Sequence, residues 1–336
     1  SDYNYEHSHN HHGSIGMFAR INYDYKGIYL FEISAREDAS SKLKQGAQWA
    51  FFPSGSVGYR ISEEPYFANA KQHVSNLKLR ASYGVIGNQE IGSNMFLETM
   101  SKQTASVWWI GDGSARYDYF SSPKLVAESL TWEKIATTNV GIDLGFLNND
   151  LIVNFDWFQR DTKDMLAPGK AMPSVLGASA AYENAGSMRT RGWELTIDWR
   201  QRFGDWNVYA TANLNDYKTV ITTWDSNNLI NANYSGKTYG EIWGFRTDGY
   251  FRTNSEANAW ATDSYHKNGS NFRAYAGDLK FIDMDGDGNI GYGKQTVEDH
   301  GDLDRIGNFL PRFQYGINLD FKWNGIGLSM FFQGVG

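Results

Sequence analysis

The stretch Phe313-Gln-Tyr-Gly-Ile-Asn-Leu-Asp-Phe-Lys-Trp323 decides the fold. Every second residue is apolar: Phe313, Tyr315, Ile317, Leu319, Phe321 and Trp323. Between them stand Gln314, Gly316, Asn318, Asp320 and Lys322, which are polar or small. Side chains alternate faces along a β-strand, so this strand has one greasy, aromatic-ended face and one wet face. Asn324-Gly325 follows, the dipeptide most favoured in two-residue hairpin turns, and then a second apolar-bearing run, Ile326 to Phe332. The segment reads as an antiparallel hairpin with oil on one side and water on the other.

The same design recurs outward along the chain. Ten long strands are expected: 15–25, 28–38, 48–61, 76–86, 139–146, 151–160, 192–202, 206–217, 313–323 and one from 326 onward. Val140, Ile142, Leu144 and Phe146 alternate with Asn139, Gly141, Asp143 and Gly145; Trp193, Leu195, Ile197 and Trp199 alternate with Glu194, Thr196, Asp198 and Arg200. The connections divide by length. Short ones fall at 26–27, 147–150, 203–205 and 324–325, with 62–75 intermediate, and long ones at 39–47, 87–138, 161–191 and 218–312. Short turns on one side and long loops on the other are the habit of outer-membrane barrels. The segment Glu241–Phe251 is also strand-like. One extra crossing there would put Phe313 on the wrong side, so it is read as a hairpin within an external excursion, with a partner near Asp278–Asp283 as the alternative.

Composition fits this reading. The 336 residues include 12 Trp, 20 Tyr and 20 Phe, more aromatic than an ordinary soluble domain, and many of these rings fall near strand ends as interfacial girdles do. Mean hydropathy is −0.52 and no run of 18 apolar residues occurs, which argues against a spanning helix but not against strands that alternate. A net charge of −7 argues against a nucleic-acid partner. With no cysteine there is neither a disulfide nor thiol chemistry. A soluble β-sandwich also alternates. Strands near ten residues, loops asymmetric by side and clustered terminal aromatics favour a transmembrane barrel. Asp143, Asp156, Glu194, Asp198, Arg200, Asn213 and Asp320 all fall on the wet face, which suits a wide hydrated lumen better than a narrow packed one. The fold expected is therefore all-β: an antiparallel transmembrane β-barrel whose ten strands either close on themselves or form an arc of a larger wall, the charged wet face favouring the larger.

Several motifs carry a family resemblance. Leu130-Thr-Trp-Glu-Lys-Ile-Ala-Thr-Thr-Asn-Val-Gly-Ile-Asp-Leu-Gly-Phe146, Asp156-Trp-Phe-Gln-Arg-Asp-Thr-Lys-Asp-Met-Leu166 and Asn184-Ala-Gly-Ser-Met-Arg-Thr-Arg-Gly-Trp-Glu-Leu195 resemble SusC/RagA-like TonB-dependent outer-membrane transporters, with Thr190 where that family usually has Asn. Ile21–Gly27, Phe52–Ser54, Tyr59–Glu64, Arg80–Gly84, Gly87-Asn88 and Asp283–Asn308 extend the likeness in collinear order over nearly the whole chain. The resemblance implies a barrel of about 22 strands with a plugged lumen, of which this would be the C-terminal portion without its last strands. It implies TonB-dependent import of a glycan or peptide nutrient across the bacterial outer membrane, a SusD-like surface lipoprotein over the external loops, and contact with TonB through a plug-bearing region outside this chain. The alternatives are a passive porin-like barrel and a soluble β-rich carbohydrate-binding module.

Two constellations are candidate sites. Asp283, Asp285 and Asp287 stand at positions 1, 3 and 5 of a loop with Gly288 at 6 and the Asn289 carbonyl at 7, the first half of a calcium loop. Position 12 is Lys294, so this is no EF-hand; a structural Ca²⁺ or similar hard cation is expected, its shell completed from Glu298, Asp299, Asp302 or Asp304. Trp108, Trp109, Tyr117 and Tyr119 lie in the 87–138 loop as candidate ligand contacts, because flat rings stack on sugars and peptide side chains. His7, His9, His11 and His12 cluster but read as a polar loop. No hydrolase or nucleotide motif occurs, and no catalysis is expected.

Overall fold

The computed structural model describes residues 11–336 apart from 93–94, 111–114, 124, 128–129, 170–172, 174, 176–179, 226–227, 261 and 264–273, and only the backbone at 105–110, 115–117 and 262–263. His7 and His9 lie outside the described residues. In chain order the strands are β1 Ser14–Tyr25, β2 Tyr29–Ser40, β3 Trp49–Arg60, β4 Val74–Asn88, β5 Lys102–Ile110, β6 Ala115–Phe120, β7 Glu133–Phe146, β8 Leu151–Pro168, β9 Tyr182–Phe203 and β10 Trp206–Thr223. Then come β11 Glu241–Phe245, β12 Thr247–Tyr250, the short helix α1 Asn254–Ala259, β13 Thr262–Asp263, β14 Leu279–Phe281, β15 Asn289–Ile290, β16 Leu303–Asn308, β17 Gln314–Trp323 and β18 Ile326–Val335.

The chain divides into two units, residues 1–217 with 313–335, and 218–312 with 336. The first is built on one sheet of ten strands in the order β1-β2-β3-β4-β7-β8-β9-β10-β17-β18. The pairs β1–β2, β2–β3, β3–β4, β4–β7, β7–β8, β8–β9, β10–β17 and β17–β18 are antiparallel. All ten expected strands are present.

Register carries the alternation from strand to strand. Tyr23 pairs with Phe31, Phe31 with Val57, Val57 with Ala81, Ala81 with Val140, Val140 with Trp157, and Trp157 with Trp193. On the far side Ala212 pairs with Ile317 and Ile317 with Phe332. One residue along, the row is Gly58, Arg80, Gly141, Asp156 and Glu194. The sheet thus has one apolar face and one polar face.

Turn chemistry fixes this register. Asn324 and Gly325 both take positive φ (42° and 81°), the backbone that a two-residue hairpin requires, and Lys26 and Gly27 do the same (58° and 67°) in the three-residue connection between the paired Tyr25 and Tyr29. Aromatic rings gather at these short turns: Tyr29 stacks on Tyr59 with centroids 5.1 Å apart. Among the described residues no helix is long and apolar enough to cross a membrane, which says nothing of strands.

Four strands outrun their expected bounds by six residues or more, and β2 and β4 by two. β7 begins at Glu133, β8 reaches Pro168, β9 begins at Tyr182 and β10 reaches Thr223. Pairing continues past the end of the apolar row because backbone ladders do not need apolar side chains. A bulge between Thr162 and Met165, with Asp164 at φ 58°, absorbs the irregularity.

The second unit has its own small core of Ile221, Ile230, Tyr234, Phe251, Phe281, Ile290 and Leu303. Glu241–Phe251 does not join the main sheet. Its first half, β11, pairs with β16, and its second half, β12, pairs with β14. The segment adds no crossing to the main sheet, but it is not the expected hairpin: Arg246 interrupts it, its second half pairs with Leu279–Phe281 inside the alternative partner region 278–283, and its first half finds Leu303–Asn308. Thr253 caps α1 by accepting from the Glu256 N–H at 3.1 Å, and Glu256 reaches back past the cap to accept from the Arg252 N–H at 2.9 Å.

Candidate functional site

The polar face of the main sheet is organised around Arg80. Its guanidinium lies 2.8 Å from Asp143 on β7 and 2.9 Å from Asp156 on β8. Arg80 stands opposite Gly141, and Gly141 stands opposite Asp156, so the arginine must cross a whole strand. Gly141 leaves room for this: a Cβ there would sit 2.5 Å from the Asp156 oxygen and 2.8 Å from Arg80 Nη2, so one of the two side chains would have to shift. All three charged groups are largely shielded from solvent, and each carboxylate meets a planar fork of donors. Asp143 and Asp156 lie on the face that alternation predicts, whereas Arg80 as their shared partner is not among the residues expected there. The available signal was a cation, a glycine and a carboxylate on three neighbouring wet-face positions.

Around this hub runs a groove of about 540 Å³ whose polar lining includes Asn22, Glu32, Ser56, Lys78, Arg80 and Asn139. A second cavity of about 370 Å³ is bordered by Arg36, Asp38, Phe52, Gln89 and Trp132. The Gln89 Oε1 is buried without a hydrogen-bond partner. Trp132, Leu130, Phe52 and Leu43 form a compact apolar cluster beside it, with Trp132 Nε1 donating to the Gln48 carbonyl at 3.0 Å. Asn184 accepts from the Thr131 N–H at 2.9 Å and donates to the carbonyls of Thr131 (3.1 Å) and Asp164 (2.6 Å). Leu130, Trp132 and Asn184 therefore hold the long ends of β7, β8 and β9 together.

The acidic loop lies between β14 and β15. Ligand-capable oxygens of Asp283, Asp285 and Asp287 lie within 4.8 Å of one another. Asp283 accepts from the Gly286 N–H at 2.6 Å and the Gly288 N–H at 2.9 Å; Asp285 accepts from Asp287 N–H at 3.1 Å and Asp287 from Asn289 N–H at 2.7 Å. No lysine or arginine among the described residues pairs with the three. The donor set is all oxygen, which fits a hard cation. Asn289 begins β15, leaving its carbonyl next to the cluster in sequence.

The carboxylates expected to complete a shell are committed elsewhere. Asp302, almost fully buried, accepts from Met284 N–H at 2.6 Å and Gly291 N–H at 2.7 Å and so clamps both ends of the loop. Glu298 accepts from Asn228. Lys294 beside Asp299 holds that carboxyl below its usual value, and Arg246 with the Arg305 N–H does the same for Asp304. Nearby, burial and then a hydrogen bond to Glu241 push the Tyr234 phenol up to about 12.

The β5–β6 hairpin carries the four aromatic candidates. Trp108 and Trp109 are on β5, and Tyr117 and Tyr119 on β6, with Trp109 opposite Arg116 and Gln103 opposite Tyr119. Tyr119 is exposed. The side chains of Trp108, Trp109 and Tyr117 lie outside the described atoms.

A long-stranded antiparallel sheet with an apolar face, a charged face and aromatic-ended short turns is the wall of an outer-membrane β-barrel. The chain belongs to the TonB-dependent receptor-like β-barrel family, whose sequence model matches residues 1–336. It is 29% identical over 356 aligned residues to TonB-dependent receptor P39 of Formosa agariphila, covering 96% of this chain and 32% of that protein. It is 33% identical over 187 residues to TonB-dependent receptor SusC of Bacteroides thetaiotaomicron, covering 55% of this chain and 18% of that one. Its fold matches the RagAB peptide importer in the "open-open" state with a TM-score of 0.70 and 24% identity, over 96% of this chain and 32% of that one. The expected likeness is thus found, to SusC in sequence and to the RagAB importer in fold, and the protein is an outer-membrane one. The chain spans about a third of the length of the curated relatives it matches most fully.

Proposed function

We propose that this chain forms part of the barrel wall of a receptor that imports an oligosaccharide or peptide across the outer membrane, driven through TonB. The observation that supports this best is the pairing of an unbroken apolar row with a charged row one residue away across neighbouring strands. The apolar row meets acyl chains, and the charged row borders a wide, hydrated or plug-filled conduit. The long-loop ends at 87–138, 161–191 and 218–312 face outward, where a SusD-like lipoprotein covers them.

In this reading Trp108, Trp109, Tyr117 and Tyr119 offer rings to the nutrient from the β5–β6 hairpin. Asp283, Asp285, Asp287 and the Asn289 carbonyl hold a Ca²⁺ that stiffens their loop. The cation supplies charge neutralisation there and takes no part in chemistry.

The test is uptake of labelled oligosaccharide and peptide pools by cells with and without the gene. Uptake that needs both the gene and the inner-membrane proton gradient supports import. Gene-dependent uptake that persists after the gradient is collapsed would replace it with the passive-porin reading.

A further inference from the structure

The apolar row of β8 runs Leu151, Val153, Phe155, Trp157 and then changes character. The next three residues on the same face are Gln159, Asp161 and Lys163. Their cross-strand partners are Arg191, Arg189 and Lys134: Gln159 pairs with Arg191, Asp161 with Arg189, and Lys163 with Lys134. The outward face of β7, β8 and β9 therefore carries a polar patch starting two residues, about 7 Å along the strand, beyond the Trp157–Trp193 pair.

The patch is cationic and under-compensated. Arg189 Nε lies 2.5 Å from Asp161 Oδ1, and Gln159 Nε2 donates to Asp161 Oδ2 at 2.7 Å, so the one carboxylate is committed. Arg191 Nε donates to Gln159 Oε1 at 2.7 Å and has no acid of its own. Among the described residues Lys134, Lys163 and Arg191 form no ion pair, and all three are exposed. Lys134 and Lys163 face each other directly, an arrangement that like charges disfavour unless an anion lies between them.

We propose that Lys134, Lys163 and Arg191 form a docking site for the phosphate of a lipid headgroup in the leaflet on the long-loop side. The place argues for a lipid. The patch continues the acyl-facing row, just past a tryptophan pair of the kind that marks the membrane interface. Charge complementarity argues for phosphate: a guanidinium fork and two opposed ammonium groups suit its several oxygens. Asp161 and Gln159 act as positioning residues that orient Arg189 and Arg191. The inference rests on the outward assignment of this face and needs no knowledge of the nutrient.

The experiment uses the full-length receptor purified in neutral detergent and native mass spectrometry with phosphatidic acid, diacylglycerol or inorganic phosphate added. Wild type should retain phosphatidic acid and not diacylglycerol. The variant Lys134→Gln/Lys163→Gln/Arg191→Gln should bind it at least about tenfold more weakly. A control with the same charge change on the opposite face, Lys78→Gln/Arg200→Gln/Lys322→Gln, should bind as wild type does. If the triple variant does not fold, Lys163→Gln alone should still weaken retention. Undiminished binding in the outward variants, or equal loss in the control, would overturn the proposal. Full displacement of the lipid by inorganic phosphate would overturn it too, by showing a site for the free ion.

Discussion

Trp206 and Trp323 stand directly opposite each other on β10 and β17, their rings stacked with centroids 5.6 Å apart and planes inclined by 18°. Each is the terminal apolar residue of its strand at a short turn. Stacked aromatic pairs contribute about 0.5–1.5 kcal/mol beyond the area they bury. A double-mutant cycle of Trp206→Ala and Trp323→Ala, measured by reversible unfolding of the full-length receptor in lipid, should give a coupling in that range. A coupling near zero would mean that the rings are held apart by lipid and not by each other.

Arg80 is the shared partner of two carboxylates, so its removal leaves like charges facing each other across Gly141. Arg80→Ala should destabilise the receptor by about 1–3 kcal/mol, less than for a fully buried pair because the groups keep some solvent. Arg80→Lys should recover little, since one ammonium cannot serve two forks. Adding Asp156→Asn to Arg80→Ala should regain part of the loss. If Arg80→Lys behaves as wild type, the geometry does not matter and the interaction is a diffuse one.

In the second unit Asp299 and Asp304 are held below their usual carboxyl values by Lys294 and Arg246 respectively. A group whose folded value is depressed adds stability above its unfolded value and loses it as pH falls through the folded one. Amide exchange at 246–251 and 303–308, corrected for intrinsic rate, should therefore be slow at neutral pH and rise as pH drops below the ordinary aspartate range. Asp304→Asn should remove most of the pH response around Arg246. A flat profile in wild type would contradict the assignment.

Three carboxylates within 4.8 Å without a basic partner repel one another, and a divalent cation relieves that repulsion. Millimolar Ca²⁺ should slow amide exchange at 283–291, with no matching effect from the same ionic strength of K⁺. Asp285→Asn should weaken the response about tenfold or more, and Asp278→Asn, a nearby acid outside the cluster, should not. Equal protection by Ca²⁺ and K⁺ would reduce the loop to a solvated turn.

The sheet was legible in the sequence because its physics is local. Period-two alternation from Phe313 to Trp323 assigns faces, and Asn324-Gly325 assigns the turn and therefore the register. The lengths of β8 and β9 were not legible. Past Trp157 and Trp193 their side chains turn polar, and backbone pairing continues without leaving a pattern. The Arg80 hub was hidden for another reason: it joins residues 63 and 76 positions apart that only the register brings together. The acidic cluster was readable, since Asp283, Asp285 and Asp287 sit within a single loop whose glycines (Gly286 at φ 76°, Gly288 at φ 80°) curl it inward. Its imagined extra ligands were not, because Asp302 is spent on clamping the loop.

The odd-numbered residues of β17 should touch hydrocarbon. Nitroxide labels placed singly at 317–322 in the full-length receptor, reconstituted in bilayers, report oxygen and nickel-chelate accessibility. Ile317, Leu319 and Phe321 should show high oxygen and low nickel access, and Asn318, Asp320 and Lys322 should fall out of that pattern at every second position. Labels at Ile317, Leu319 and Phe321 shielded from both probes would mean that this face packs against protein, and the barrel account would be wrong.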